Sequence, residues 1–301
     1  MHARAQPGQP APREGYIPVG GARLYYREVG RGRPLVVLHG GPDFDHTYLL
    51  PDLDRLSDSF RLIYYDQRGR GKSADNVQPH DVSIKSDIED IERLRKQLHL
   101  ESVVLLGHSF GGLLAMEYAI RHPDHVSQLI LMNSAPASRD DYMHFRKELA
   151  NRRAPSDVER LKARSTDPKY LEGDPDTVAA YYRNHFRAAL RQPEHLERVI
   201  AGLRASFTRE GILKARAIED RLMDETWLGS EYDLLPGLSR LSIPTLVIHG
   251  DHDFLPVECA EHITAAIAGA RLAVLKDCGH FPYLECPDAL GQEVCTFLLG
   301  T

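Results

Sequence analysis

Long apolar runs and an excess of basic residues are both missing from this sequence of 301 residues. No window approaches the roughly 18 consecutive apolar residues of a membrane-spanning helix, so we expect no membrane partner. The 43 acidic residues outnumber the 37 basic ones and leave a net charge of −6, which argues against nucleic acid as the main partner. With 42% hydrophobic and 27% charged residues, the composition is typical of a soluble globular protein.

Cysteine is also scarce, and the four cysteines all lie near the C-terminal end: Cys259, Cys278, Cys286 and Cys295. None of them forms the C-x-x-C pair of a metal site, and a chain of this length does not need disulfides for stability. We therefore expect reduced thiols and a cytoplasmic location. The polar N-terminal segment, residues 1–15, lacks the apolar core of a signal peptide and is predicted to be a disordered tail.

Short apolar runs recur along the chain at residues 35–38, 62–65, 103–106, 129–132, 246–248 and 272–275. Continuous runs rich in branched side chains are typical of strands buried on both faces of a parallel sheet. Between the second and third runs, apolar residues from Ile84 to Leu98 recur at helical spacing and predict an amphipathic helix. This alternation predicts an α/β fold with a mostly parallel sheet flanked by helices. An antiparallel hairpin over residues 16–29 is expected before it.

The alternation stops near Asn133 and resumes at Ile243. The residues between, 136–240, hold helical patterns broken by prolines and no good strand. We predict a helical cap over residues 136–240, inserted into a core formed by residues 16–135 and 241–301. Parallel sheets bind ligands beyond the carboxyl ends of their strands, so the cap is expected to cover the pocket. Packing elsewhere on the core is the alternative.

The segment Gly107-His108-Ser109-Phe110-Gly111 fits the pattern G-x-S-x-G between a predicted strand and a predicted helix. Small residues around Ser109 permit a sharp turn that pushes the hydroxyl out of the sheet. Ser109 is therefore the predicted nucleophile, and a serine in an ordinary glycine-rich turn is the alternative.

A nucleophilic serine needs a base and an orienting acid, which follow it along the chain in the order acid, histidine. His280 lies just past the last predicted strand and is the predicted base. Asp253 is preferred to Asp251 as the acid because it lies further into its loop and must reach across to the imidazole. His249 and His252 are three apart, but no third ligand accompanies them, so no metal or other cofactor is predicted.

The first of the parallel strands ends in His39-Gly40-Gly41-Pro42, where two glycines leave backbone N–H groups free. The amides of Gly41 and Phe110 are the predicted oxyanion hole. The turn after the next strand ends in Gly-Lys-Ser but lacks the full phosphate-loop pattern. We expect Asp66 and Arg68 of that turn to brace the loops around the site.

Together these segments resemble the α/β-hydrolase superfamily, and residues 39–42, 65–69 and 107–112 are most similar to its proline iminopeptidase branch. The resemblance implies Ser109, Asp253 and His280 as a catalytic triad, with Gly41 and Phe110 at the oxyanion hole. Two positions depart from the branch: Asp43 stands where glycine is frequent, and Phe110 where tryptophan or tyrosine is common. Members of the branch hold the free amine of the substrate with glutamates of the cap.

The predicted cap contains candidates for substrate binding. Between residues 218 and 233 there are six acidic residues against one basic residue, and an acid facing the pocket, such as Glu225, would attract an ammonium group. A solvated helix face is the alternative. Trp227 and Tyr182 are candidates for lining the pocket, although aromatic residues of a cap serve packing as often as recognition.

The predicted function is that of a serine hydrolase which cleaves a small amide or ester, or a short peptide, through an acyl-enzyme. A proline iminopeptidase-like aminopeptidase is one form of this prediction. A carboxylesterase or a carbon–carbon bond hydrolase would use the same three residues. A non-catalytic ligand-binding protein on the same scaffold is the alternative from another class. The sequence gives no indication of the oligomeric state, in either direction.

Overall fold

An eight-stranded sheet forms the centre of the computed structural model, which describes residues 11–229 and 231–300. The strands are β1 (Arg13–Pro18), β2 (Arg23–Val29), β3 (Pro34–Leu38), β4 (Arg61–Tyr65), β5 (Val103–His108), β6 (Val126–Met132), β7 (Thr245–Gly250) and β8 (Arg271–Leu275). Their spatial order is β1-β2-β4-β3-β5-β6-β7-β8. The β1–β2 hairpin joins β4 in antiparallel fashion, and all later pairs are parallel. The predicted mostly parallel α/β sheet is confirmed.

Both faces of the sheet are covered, which explains why its strands read as continuous apolar runs. Along β3, Val36 and Leu38 contribute to the apolar cluster on one face, while Leu35 and Val37 contribute to the cluster on the other. The helices are, in chain order, α1 (Ile84–Gln97), α2 (Phe110–Arg121), α3 (Arg139–Arg152), α4 (Pro155–Ser165), α5 (Pro168–Leu171), α6 (Pro175–His185), α7 (Leu196–Arg204), α8 (Arg209–Glu225), α9 (Leu235–Leu238), α10 (Val257–Ala266), α11 (Pro282–Glu285) and α12 (Pro287–Leu299).

The chain between β6 and β7 is helical, as the sequence indicates, and comprises α3 to α9. Three of the prolines that interrupt the helical patterns also begin helices: Pro155, Pro168 and Pro175 are the first residues of α4, α5 and α6. Proline is favoured there because its missing N–H would have no partner in the helix and its fixed φ suits the first turn. A single antiparallel bridge between Ser138 and Asp233 brings the two ends of this insertion together.

The N-terminal strand is longer than the sequence suggests. β1 begins at Arg13, so residues 13–15 of the predicted tail are paired with β2, and Tyr16 lies opposite Tyr25. Residues 1–10 of that prediction lie outside the described residues. The two glycines between the strands, Gly20 and Gly21, both have positive φ, which this short turn requires.

The cysteine prediction is wrong for one pair. Cys278 and Cys286 form a disulfide, because the single turn of α11 folds residue 286 back beside residue 278. Cys259 and Cys295 are free thiols, as expected. Among the described residues, no helix combines the length and the apolar character needed to cross a membrane.

Candidate active site

The loops that carry the predicted site residues all follow the carboxyl ends of neighbouring strands. Gly41 follows β3, Ser109 follows β5, Asp253 follows β7 and His280 follows β8. Because β3, β5, β6, β7 and β8 are adjacent and parallel, these loops meet at one edge of the sheet. Gly41 and His280, which are 239 positions apart in the sequence, therefore line one cavity.

Ser109 lies on a strained turn between β5 and α2, with φ of 54° and ψ of −122°. Its carbonyl oxygen accepts the N–H groups of Gly112, at 2.8 Å, and Ala135, at 2.9 Å, which hold the turn in place. The flanking glycines permit it to form. A Cβ atom at Gly107 would lie 2.4 Å from the carbonyl oxygen of Gly111, and one at Gly111 would lie 2.2 Å from that of Leu38. The predicted steric reason for this motif is therefore visible in the fold.

His280 and Asp253 are hydrogen-bonded to each other in a buried position. Nδ1 of His280 lies 3.0 Å from each carboxylate oxygen of Asp253, and the two residues are each 2% exposed. Burial by itself would raise the pKa of Asp253, but the charge and hydrogen bond of His280 outweigh it, so the net pKa is lowered. An ionised Asp253 accepts the Nδ1 proton and leaves Nε2 of His280 as the basic atom.

Asp251, the alternative acid, has different partners. Its carboxylate accepts hydrogen bonds from the exposed His252 and from the backbone N–H of Cys278. The Asp251 carboxylate therefore braces the β8 loop from outside, while Asp253 contacts the imidazole.

Asn133 is a site residue that sequence reasoning missed. It lies directly after β6, is fully buried and has a φ of 47°. Its side-chain amide donates to Asp253 Oδ2 at 2.7 Å and to the carbonyl oxygen of Gly279 at 3.1 Å. Asn133 therefore ties the loop of the acid to the loop of the histidine. Its position at the carboxyl end of a parallel strand is the signal that could have identified it.

A cavity of about 150 Å³ opens beside Ser109 and His280. Gly41 also lines it, and Phe110 provides the first backbone N–H of α2. Among the described residues, neither of these two N–H groups donates to an acceptor of the protein. Aromatic side chains make up much of the remaining wall: Phe44, Tyr48, Tyr170, Tyr181, Tyr182, Phe186, Phe254 and Phe281. A larger cavity of about 450 Å³ shares Asp43, Phe44 and Tyr182 with it but does not include Ser109.

Two acidic side chains line the same cavity as Ser109: Asp43 from the loop after β3 and Glu219 from α8. Burial raises the pKa of Asp43, although a hydrogen bond from the hydroxyl of Tyr182 acts against this rise. Burial, followed by the nearby Asp43 carboxylate, raises the pKa of Glu219 well above its usual value. Arg216 opposes both shifts from nearby, while its guanidinium donates to the backbone carbonyl of Tyr170.

The structure places two predicted substrate-binding residues elsewhere. Glu225, at the end of α8, accepts a hydrogen bond from the backbone N–H of Ile84 at 2.9 Å, so its carboxylate caps α1. Trp227 is 4% exposed; its ring stacks on Tyr142, and its N–H donates to the carbonyl of Pro136. Both side chains are used for packing outside the cavity, which corrects their assignment. Tyr182, the third candidate, does line the cavity.

The loop after β4 has the bracing contacts that the sequence indicates. Asp66 accepts hydrogen bonds from the backbone and ring of His46 and from the backbone of Lys72. Arg68 forms a buried pair with Asp90 of α1 and donates to the carbonyl of Val19. These contacts join the loops after β3 and β4 to the hairpin and to α1.

Two groups in the described residues bring three potential metal-ligand atoms within 4.8 Å of one another: Asp45, His46 and Asp66, and Glu92, His122 and His125. In the first group, Asp66 accepts from the ring of His46, and Asp45 accepts from the backbone of Thr47. In the second, Glu92 accepts two hydrogen bonds from Arg95. Internal hydrogen bonds therefore account for both groups.

Comparison with known proteins agrees with this architecture. The family described as alpha/beta hydrolase fold matches residues 33–287. A proline iminopeptidase from Saccharolobus solfataricus is 30% identical over 95% of this chain and 92% of its own length. The structure of a proline iminopeptidase-related protein from Thermus thermophilus has a TM-score of 0.72 and 26% identity, covering 96% of this chain and 98% of that one. An esterase from Exiguobacterium antarcticum has a TM-score of 0.69 and 26% identity, covering 94% and 98%. This chain belongs to the α/β-hydrolase family and is similar to proline iminopeptidases.

Proposed function

We propose that the protein is a serine hydrolase that works through an acyl-enzyme, with Ser109, His280 and Asp253 as its catalytic triad. The observation that carries the proposal is that Ser109 and His280 line one cavity while His280 is hydrogen-bonded to Asp253. Nε2 of His280 takes the proton of Ser109 as the hydroxyl oxygen attacks the substrate carbonyl. Asp253 holds the ring and stabilises the imidazolium that forms.

The negative charge that develops on the carbonyl oxygen needs donors that are already oriented. The N–H groups of Gly41 and Phe110 supply two such donors, and the second also benefits from the positive end of α2. The tetrahedral intermediate collapses when His280 returns its proton to the leaving group. A water molecule, activated by the same imidazole, then releases the acid from Ser109 and restores the enzyme.

Ser109→Ala tests this mechanism. We expect turnover of every substrate to fall by roughly 10³-fold or more, together with loss of labelling by a fluorophosphonate probe. Ser134→Ala is the matched control, because Ser134 is also buried near the turn but donates to the carbonyl of Ala135. Unchanged turnover in Ser109→Ala would refute the mechanism, and failure of the wild-type protein to react with the probe would favour a non-catalytic binding protein.

For the substrate, we propose a small residue with a free amine, released from the N-terminus of a peptide or arylamide. Neither Asp43 nor Glu219 of the cavity forms an ion pair among the described residues, and an ammonium group bound there would supply a cation at close range. The resemblance to proline iminopeptidases, which hold the amine with glutamates of the cap, supports Glu219 in that role. The small aromatic cavity suits a compact ring such as proline.

Proline and alanine arylamides, their N-acetylated forms and short-chain aryl esters separate this proposal from the alternatives. We expect Glu219→Gln to lower kcat/KM for the free-amine arylamide by roughly 30-fold, or about 2 kcal/mol, because the ammonium loses its charged partner. Glu225→Gln is the matched control, since it removes a carboxylate of the same helix outside the cavity. Equal activity on free and acetylated amides would contradict amine recognition.

A carboxylesterase is the second candidate, and the likeness to the Exiguobacterium esterase favours it. An esterase would turn over aryl esters much faster than any free-amine arylamide, and Glu219→Gln would leave that rate unchanged. A carbon–carbon bond hydrolase on the same triad would hydrolyse neither group well.

We also propose residues 136–240 as a cap over the site, because Tyr170, Tyr181, Tyr182, Phe186 and Glu219 of this segment line the cavity. The cytoplasmic location stays a prediction that cell fractionation would test. This prediction depends on reduced thiols, and the Cys278–Cys286 disulfide removes that support for two of the four cysteines.

A further inference from the structure

A chain of three buried hydrogen bonds joins the loop after β3, the serine turn and the histidine loop. The backbone N–H of Gly40 donates to the hydroxyl oxygen of Tyr48 at 2.7 Å. That hydroxyl lies 2.6 Å from Nδ1 of His108, and Nε2 of His108 lies 2.9 Å from the carbonyl oxygen of His280. Tyr48 is 4% exposed and His108 1% exposed, so bulk water does not compete for these contacts. Each end of the chain therefore reaches a residue at or beside the catalytic machinery.

The chemistry of the groups fixes the direction of every bond in this chain. A carbonyl oxygen can only accept, so Nε2 of His108 must carry the proton. In a neutral imidazole, Nδ1 then has the lone pair, and the Tyr48 hydroxyl donates to it while its oxygen accepts from Gly40. Burial lowers the pKa of His108 to about 3, which keeps the ring neutral over the usual working range. Both ring nitrogens are thus occupied, and His108 is not available as a second base.

We propose that Tyr48 and His108 are positioning residues that keep the oxyanion-hole loop and the catalytic imidazole aligned with Ser109. The inference rests on the proposed serine hydrolase mechanism. Gly40 directly precedes Gly41, so the contact with Tyr48 holds the peptide unit next to the one that carries the Gly41 N–H. His108 directly precedes Ser109 and holds the backbone of His280. This chain of hydrogen bonds through Tyr48 and His108, which we call the relay, therefore sets the spacing of the nucleophile, the base and the oxyanion donor. Small displacements of these groups reduce the rate strongly.

The effect of substitutions on kcat and KM distinguishes the relay from buried hydrogen bonds that only stabilise the fold. We expect Tyr48→Phe and His108→Phe each to lower kcat for the best substrate by roughly 10- to 100-fold with KM changed less than about 2-fold, because alignment affects mainly the transition state. His108→Gln, which can still donate to the carbonyl of His280, should recover part of the loss. Tyr118→Phe is the matched control: it removes another buried hydroxyl, which donates to Glu92 and contacts neither Tyr48 nor His108.

A double-mutant cycle adds a test that a purely structural role would not pass. Because either substitution alone breaks the relay, the Tyr48→Phe, His108→Phe double variant should lose little more kcat than one single variant. Additive losses, or a kcat for Tyr48→Phe equal to that of Tyr118→Phe, would overturn the proposal. Circular dichroism of each variant verifies folding. If either phenylalanine variant does not fold, the kcat of His108→Gln relative to that of the control variant provides the test.

The rate of fluorophosphonate labelling separates failure of the relay from failure of the proposed function. Rapid labelling of Ser109 in the wild-type protein, with labelling at least about 10-fold slower in Tyr48→Phe, is the expected result. Equally rapid labelling in both proteins refutes the relay and leaves the serine hydrolase mechanism in place. No labelling of the wild-type protein refutes the mechanism and, with it, the relay.

Discussion

His108 makes the stability of this protein sensitive to acid in a way that can be measured. The residue is 1% exposed, and burial lowers its pKa from 6.5 to about 3. The folded state therefore holds it neutral, whereas the unfolded chain binds a proton at about pH 6.5. Since the unfolded state binds more protons in this window, stability is complete above the unfolded pKa and is lost as the pH falls through it.

The size of the effect follows from the two pKa values. A full difference of one proton changes the free energy of unfolding by about 1.4 kcal/mol per pH unit. Between about pH 7 and about pH 5, the unfolded imidazole becomes almost fully protonated while the folded one stays neutral. The contribution of His108 to the loss of stability over this interval is therefore about 2 kcal/mol.

Urea unfolding of the wild-type protein and of His108→Gln at the two pH values isolates this contribution. Other groups titrate as well, such as Asp90, whose burial raises its pKa to about 6, but they contribute equally to both proteins. We expect the variant to lose about 2 kcal/mol less than the wild type on acidification. His80→Gln is the control, because it makes the same substitution at an exposed position. The same pH dependence in wild type and His108→Gln would show that His108 is not neutral in the fold.

Further predictions concern the serine turn, the acids and the cap. Gly111→Ala is expected to lower the free energy of unfolding by about 3 kcal/mol, because its Cβ would lie 2.2 Å from the Leu38 carbonyl; Gly291→Ala in α12, with open space around it, should be neutral or stabilising, and equal effects would contradict the steric argument. Because burial raises the pKa of Asp43 and Glu219, KM for a free-amine arylamide should rise on acidification at a higher pH than that at which ordinary carboxyl groups become protonated. KM for a neutral aryl ester should stay constant, and a parallel rise in both would contradict an acidic amine site. Trp227→Phe should lower the free energy of unfolding, measured by heat or urea, by about 1 kcal/mol because it loses the hydrogen bond to Pro136, and kcat/KM should not change. A large fall in kcat/KM would show that Trp227 contacts the substrate.

The sheet and the residues at its edge could be predicted because they follow from local patterns. Each apolar run corresponds to a strand, and all runs but the last are buried on both faces; in the edge strand β8, Val274 is 48% exposed. Polar or glycine-rich residues follow where each strand ends. The Ser109 turn was predictable for the same reason, since small residues between a strand and a helix leave few conformations open to the chain. The order of acid and histidine along the chain then singled out Asp253 and His280 from many other acids and imidazoles.

The disulfide and Asn133 show where such patterns end. Cys278 and Cys286 are separated by eight positions, and nothing in that spacing indicates that α11 folds one beside the other. Asn133 carries no signal beyond its place after a parallel strand, and its two hydrogen bonds depend on loops that are 120 and 146 positions away in the sequence. Contacts between distant loops depend on the packing of the sheet, which no local signal reports.

The chain's own order of residues determined the parallel sheet, the serine turn and the acid and histidine that follow, because backbone geometry and burial act on neighbouring residues. Only the tertiary structure decided between Glu219 and Glu225. Each follows a buried isoleucine of α8, Ile212 or Ile218, by two helical turns, so the helical pattern places both beside the buried stripe. Six residues of helix separate them by about 9 Å along the axis. The packing of α8 brings Glu219 to the cavity and Glu225 to the start of α1.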